Sequence, residues 1–214
     1  MNIIFLGAPG AGKGTQARKV SSQFGMMQLS TGDMLRDASM SDTSLGRKIS
    51  TMIGSGELVT DGIVVALIEE KLKAGHKGGF IFDGFPRTIS QAIALDGLLE
   101  NNGSTLKAVI DIRIDNEVLI GRITGRYTCL DCGEVYHEST RPVATNKFCE
   151  ACGSKNLNKR ADDNESSLRT RLTEHSYKTA PLIEYYFNKE ILHSVDGLKS
   201  IDAINKDINK ILMK

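Results

Sequence analysis

The chain has almost no charge bias, no long apolar run and no cysteine outside one short segment. Its 27 basic and 26 acidic residues leave a formal net charge of +1 over 214 residues. There is thus no global electrostatic case for binding nucleic acid or a membrane, and any basic function must be local. No apolar stretch approaches the roughly 20 residues a membrane span needs. Met1 leads straight into an apolar strand, Asn2 to Leu6, without a charged leader and apolar signal core, so a cytoplasmic protein is expected. Internal repeats and low-complexity segments are lacking, which removes solenoids and disordered arrays. With 40% hydrophobic and 25% charged residues, the remaining expectation is a small soluble enzyme with one main core and one insertion.

What is present begins with Gly7-Ala8-Pro9-Gly10-Ala11-Gly12-Lys13-Gly14-Thr15, directly after that first strand. Strand, glycine loop and lysine in this order mark a phosphate-binding loop. Glycines let backbone N–H groups turn together toward an anion, the next helix offers its positive end, and Lys13 adds a mobile charge for the outer phosphates. A nucleoside triphosphate is the implied ligand. The general motif places Ser or Thr directly after the lysine; here Gly14 intervenes and the hydroxyl arrives at Thr15. Beyond the loop, helical and strand patterns alternate. They predict helices over 13–24, 42–54, 61–73, 90–99, 117–125 and 163–187, the last bent or divided at Pro181, and a final helix from about 201. Strands are predicted over 80–83, 107–113 and 191–195, and Thr31 and Asp33 read as caps of a helix start.

A second motif, Asp83-Gly84-Phe85-Pro86-Arg87, follows the wholly apolar run Phe80 to Phe82. An aspartate at the tip of a buried strand beside a phosphate loop can hold magnesium, directly or through its waters.

At these residues the chain resembles the adenylate kinase family over essentially its whole length. The likeness rests on Gly7 to Thr15, Ser30 to Arg36, Gly56-Glu57-Leu58-Val59, Asp83 to Arg87 with Gln91, Gly121-Arg122-Ile123 with Gly125-Arg126, and Arg160 to Glu165. It implies an α/β fold with a central parallel sheet flanked by helices, a helical AMP-binding arm and a small zinc-ribbon-like lid. The implied divisions are 1–29, 60–125 and 164–214 for the core, 30–59 for the arm and 126–163 for the lid. The implied reaction is MgATP + AMP ⇌ 2 ADP.

Transferring a phosphoryl group between two polyanions requires cancelling their repulsion and stabilising the charge on three equatorial oxygens. Arginine suits that work, because its planar fork meets two phosphate oxygens at once and stays charged. The resemblance implies ATP contacts at Gly10, Ala11, Gly12, Lys13, Gly14, Thr15, Arg122, Arg126 and Lys199. It implies AMP contacts at Thr31, Arg36, Glu57, Leu58, Val59, Gly84, Arg87, Gln91, Arg160 and Arg171. Lys13, Asp83, Arg87, Arg122, Arg160 and Arg171 would surround the transferring group, and Asp162 and Asp163 would orient arginines as the lid closes. Arg169 and Arg171 stand about 200° apart on a helix, so only one can face the site; the family pattern selects Arg171. The Gln91 amide can donate and accept, which matches adenine, although uracil or cytosine would also find partners there.

All four cysteines lie in the predicted lid, as Cys129-x-x-Cys132-Gly and Cys149-x-x-Cys152-Gly. Four thiolates at this spacing make a tetrahedral zinc site, and a cytosolic chain argues against two disulfides; iron in the same cage and a redox pair are the alternatives. The zinc would be structural, since four cysteines leave no open position. His137, between the pairs, is expected at the surface. A zinc ribbon can also bind nucleic acid, but here Arg141 and Lys147 stand against Asp131, Glu134, Glu138 and Glu150, a poor footprint for phosphate backbones. A rival within the enzyme class changes the acceptor to UMP, CMP or a small alcohol. Gly125 and the stretch 160–163 are candidate hinges. ATP, AMP and ADP are the expected partners, and a monomer is expected because the lid and arm must swing.

Overall fold

The computed structural model describes residues 1–143 and 148–214; Lys147, counted above in the lid's charge balance, lies outside the described residues. At its centre is a five-stranded parallel sheet in the order β2-β3-β1-β4-β8. These strands are β1 (Asn2–Leu6), β2 (Met27–Ser30), β3 (Phe80–Asp83), β4 (Leu106–Arg113) and β8 (Leu192–Asp196). Each inner strand is apolar on both faces because helices cover both sides. Ile4, Leu6 and Phe82 pack on one face with Leu95, Leu99 and Ile68. Ile3, Phe5 and Ile81 pack on the other with Ala17, Val20 and Ile208.

β1 lies between β3 and β4, its two partners leading away in opposite directions, so the crevice at its C-terminal end is where a ligand can enter. The phosphate loop occupies this crevice and runs into α1 (Lys13–Phe24). Gly12 caps that helix with φ 96°, a left-handed conformation that only glycine adopts without strain.

Two insertions extend from this frame. The first holds α2 (Thr31–Ser39) and α3 (Ser44–Ser55), after which α4 (Asp61–Ala74) packs back against the sheet through Val64, Ile68 and Leu72. Its opening helix is capped by Ser30, whose hydroxyl accepts from the Asp33 N–H. The sequence reading had assigned the cap to Thr31 and Asp33; those residues are already helical, and the residue with extended backbone, Ser30, takes the role. After β3 come α5 (Ile89–Asn101), β4 and α6 (Asn116–Thr124).

The second insertion is an antiparallel three-stranded sheet, ordered β6-β5-β7, from β5 (Arg126–Cys129), β6 (Val135–His137) and β7 (Leu157–Asn158). Its own core is small: buried Cys129, Tyr136 and Cys149, flanked by Tyr127, Val143 and Leu157.

The chain then returns through α7 (Glu165–Glu174), a π-helical turn at His175–Thr179 and α8 (Leu182–Phe187), and α9 (Ile201–Leu212) closes the domain. The single helix expected over 163–187 is thus three pieces. Asn164 caps the first, and Pro181, which has no N–H to give, opens the third. Among the described residues no helix is long and apolar enough to cross a membrane.

Candidate active site

One cleft of about 510 Å³ runs between the phosphate loop, the first insertion and the three-stranded module. Lys13, Arg36, Arg87, Arg122, Arg126, Arg160 and Arg171 all line it, brought from five separate stretches of chain. Gly10, Ala11, Gly12, Gly14, Thr15, Asp83 and Lys199 line it as well, together with Thr31, Glu57, Leu58, Val59, Gly84 and Gln91. Every nucleotide-contacting position inferred from sequence therefore borders the same space.

Such a crowd of cations carries an electrostatic cost when no anion is bound, and the ionisation of the site reflects it. Burial pushes the Lys13 ammonium down to about 8, with Asp83 opposing and Arg87, Arg171 and Arg126 adding to the effect. Burial, then Arg171, lower Arg87 to about 10, and burial, then Arg126 and Arg36, do the same to Arg160. Burial likewise lowers Arg122, whose Nη2 donates to the Gly197 carbonyl at 3.1 Å. A polyphosphate supplies the missing negative charge.

Until then the arginines lean on carboxylates. Arg126 forms a two-pronged pair with Asp163, whose side chain is fully buried. Arg171 Nη1 meets Asp162 Oδ2 at 2.8 Å, whereas exposed Arg169 pairs with Glu165 on the solvent side. Arg36 pairs with Asp33, and Arg160 reaches the same carboxylate at 3.5 Å, linking the end of the second insertion to the first. Lys13 Nζ donates to the carbonyls of Gly7 and Ala8, at 2.7 and 3.0 Å. Asp83 Oδ2 accepts from Gln28 Nε2 at 2.9 Å.

The three-stranded module is joined to the core at several points. Arg18 Nε lies 3.6 Å from Glu134. His137 is tied more closely than a surface residue would be. Its Nδ1 accepts from the N–H groups of Ser139 and Thr140, so Nε2 carries the proton and donates to the Gly121 carbonyl at 2.8 Å. A side chain at Gly125 would place its Cβ 2.5 Å from that ring nitrogen, so glycine is required where the module leaves α6.

In the same module the Sγ atoms of Cys129, Cys132, Cys149 and Cys152 all lie within 4.8 Å of one another. Two of the separations are 3.6 and 3.5 Å, close to the roughly 3.8 Å edge of a tetrahedron built on 2.3 Å zinc–sulfur bonds. None of the four forms a disulfide. Matching turns, in which Gly133 N–H donates to Cys129 O and Gly153 N–H to Cys149 O, shape both halves alike. The donor set fits a metal ion.

Sequence reasoning missed His175, which lines a small cavity of about 70 Å³ with Lys13, Arg87, Arg171 and Glu174. Its signal was its position four residues after Arg171, on the same helix face. Burial, then the charges of Lys13 and Arg87, lower it from 6.5 to about 4. The unfolded chain therefore takes up a proton between pH 6.5 and 4 that the folded protein refuses, and stability falls as pH drops through that window. Allowing for partial exposure, His175→Gln should remove roughly 2 kcal/mol of that loss. Urea unfolding at pH 7 and pH 4.5 reads it, and an identical pH difference in both proteins would contradict the assignment.

A phosphate loop at the sheet's switch point, an aspartate at the tip of the adjacent strand and a cleft ringed with arginines define a kinase that acts on nucleotides. Residues 5–191 match the family model for adenylate kinase. Adenylate kinases from Paracoccus denitrificans, Sphingopyxis alaskensis and Archaeoglobus fulgidus are 53%, 47% and 46% identical, each over 99% or more of this chain. The alignments cover 98%, 97% and 99% of those proteins. The chain belongs to the adenylate kinase family.

Proposed function

We propose that the protein catalyses reversible transfer of the terminal phosphoryl group of MgATP to AMP, giving two ADP. The observation that carries this reading is the convergence of Lys13 and six arginines on one cleft with two approaches. One approach runs along the phosphate loop and is suited to the donor. The other is an apolar slot beside Leu35, Ile53, Val59 and Val64, suited to the flat base of an acceptor.

In this account the loop N–H groups and Lys13 hold the outer phosphates of ATP, while Asp83 and Thr15 stand ready for the magnesium that accompanies it. Arg36 and Arg87 hold the AMP phosphate, and Arg122, Arg160 and Arg171 spread positive charge around the group in transit. Arg126 covers the ATP adenine, with Lys199 beyond it. Thr31, Gly84, Gln91 and the backbone at Glu57 to Val59 position AMP. Residues 30–59 act as the acceptor arm and 126–163 as a lid on a core formed by 1–29, 60–125 and 164–214. Closing the lid excludes water, which at about 55 M would otherwise compete for the phosphoryl group. Asp162 and Asp163 hand Arg171 and Arg126 to the phosphates as it closes.

The four cysteines hold a structural zinc that stabilises the lid, the metal having no open position for substrate. The protein works as a cytosolic monomer, with no nucleic acid among its ligands.

ADP alone tests the reaction. With magnesium and ADP as the sole nucleotide, ATP and AMP should appear in equal amounts with no release of inorganic phosphate. Phosphate release without matched ATP and AMP would identify a hydrolase and overturn the reading.

A further inference from the structure

Gln91 is 2% exposed, yet it lines the cleft together with Leu35, Val59 and Val64. Both ends of its side-chain amide are engaged from behind. Oε1 accepts from the backbone N–H of Arg87 at 2.7 Å, and Nε2 donates to Asp61 Oδ1 at 2.6 Å. Asp61 opens α4 and is itself held in place: its other oxygen accepts from the hydroxyls of Thr88, at 2.9 Å, and Ser90.

An ionised carboxylate only accepts hydrogen bonds, and a backbone N–H only donates. The two neighbours therefore demand the same orientation of the amide. Turning it over would set the Gln91 carbonyl against the Asp61 carboxylate and its NH2 against the Arg87 N–H. Burial raises the proton affinity of Asp61, but hydrogen bonds from Ser90, Thr88 and Gln91, with the charge of Lys178, outweigh it and keep the group ionised.

Each end of an amide can make two hydrogen bonds, so one N–H and one lone pair remain on the edge facing the slot. That donor-plus-acceptor edge complements a base with a ring-nitrogen acceptor beside an exocyclic amino group. It mismatches a base with a ring N–H beside an exocyclic oxygen, since purines with an amino group and those with an oxo group at C6 present opposite patterns.

We propose that Asp61 is a specificity-determining positioning residue: by locking the Gln91 amide in one orientation, it makes the acceptor site accept 6-amino purine monophosphates and reject 6-oxo ones. The inference rests on the reading that Gln91 faces the acceptor base. An unrestrained glutamine would serve either pattern by rotating its amide; this one cannot.

The test is kcat/KM with AMP and with IMP, in the wild type and in Asp61→Asn. Asparagine keeps the shape but can present either an oxygen or an NH2 group to Gln91, so turning the amide over loses the penalty set by the charged carboxylate and keeps only the weaker one set by the neutral Arg87 N–H. The AMP-to-IMP preference should fall about ten- to hundredfold, and in a Gln91→Leu background the same substitution should leave the preference unchanged. Equal losses with both acceptors, leaving the ratio intact, would reduce Asp61 to a structural residue and overturn the proposal. A wild type that does not prefer AMP would instead overturn the reading of Gln91 on which it rests. The wild type offers a check that does not depend on the variant folding. Its Gln91 side-chain amide should show one proton protected from solvent exchange by the bond to Asp61, kept on AMP binding; an amide whose two protons both exchange as fast as those of an exposed glutamine contradicts the lock.

Discussion

Replacing Lys13 with methionine should lower kcat/KM for MgATP at least about 10³-fold while leaving the folded protein essentially as stable. Among the described residues the ammonium group makes two hydrogen bonds, both to carbonyls of its own loop, at Gly7 and Ala8. Its charge is already partly suppressed there, by burial and by the arginines around it. The wild type thus gains little stability from this lysine, and methionine keeps the length of its stem. Bound phosphates would change the balance by supplying the negative charge the cluster lacks, and the lysine proposed to hold them would then carry its full charge.

The same reasoning gives a pH dependence. Above pH 8 the empty site increasingly loses the Lys13 proton, so nucleotide binding must take one up and the apparent KM for ATP should rise. The kcat at saturation should change less, since the bound polyphosphate restores the charge. A loss under tenfold in Lys13→Met, or a KM flat between pH 7.5 and 9.5, would show that the loop backbone alone carries the outer phosphates.

The second large effect concerns the lid. Among the described residues its hydrophobic core holds three buried ones, and two of them, Cys129 and Cys149, are proposed metal ligands. So small a core cannot offset the entropy of ordering the segment, whereas metal binding contributes on the order of 10 kcal/mol. If a third of that reaches the global equilibrium, metal removal should lower the melting temperature by roughly 10 °C for a chain of this size. Cys149→Ser should behave like chelation. Proteolysis should then cut first within 130–155, and transfer should slow because water is no longer excluded, while the parallel sheet keeps its far-ultraviolet signature. Calorimetry beside elemental analysis decides it: unchanged melting after verified removal of metal would mean that the lid stands on its own packing.

Much of this was legible before any fold was seen, and the reasons differ from element to element. β1 and β3 follow from apolar runs that end at glycine, and α1 from its place between Gly12 and Gly25 behind the phosphate loop, where local pattern and burial agree. β2 has no clear strand pattern in the sequence, because its exposure is mixed and its pairing with β3 comes from distant sequence. The strands β5 to β7 are two to four residues long, too short to show alternation, and their arrangement is tied to the cysteine cluster rather than to periodicity. The break at His175–Thr179 was hidden because the helical pattern of α7 runs on through the π turn and only Pro181 marks a boundary.

At the site, residue types announced the chemistry while orientation did not. Arg169 and Arg171 are indistinguishable by composition and periodicity; the family pattern alone selects Arg171, and in the fold Arg169 pairs with Glu165 toward solvent while Arg171 lines the cleft. Gln91 could be assigned to the base from its motif. The control exerted by Asp61, thirty residues earlier, exists only once α4 and α5 meet.

The central claim, that this cleft passes a phosphoryl group from MgATP to AMP and not to water, is tested most directly by one experiment. ADP formation is measured from MgATP with AMP, IMP, UMP or CMP as acceptor, beside MgATP alone. The account predicts fast turnover with AMP, far slower turnover with the others and negligible hydrolysis without an acceptor. Comparable rates with several acceptors, or with none, would contradict it.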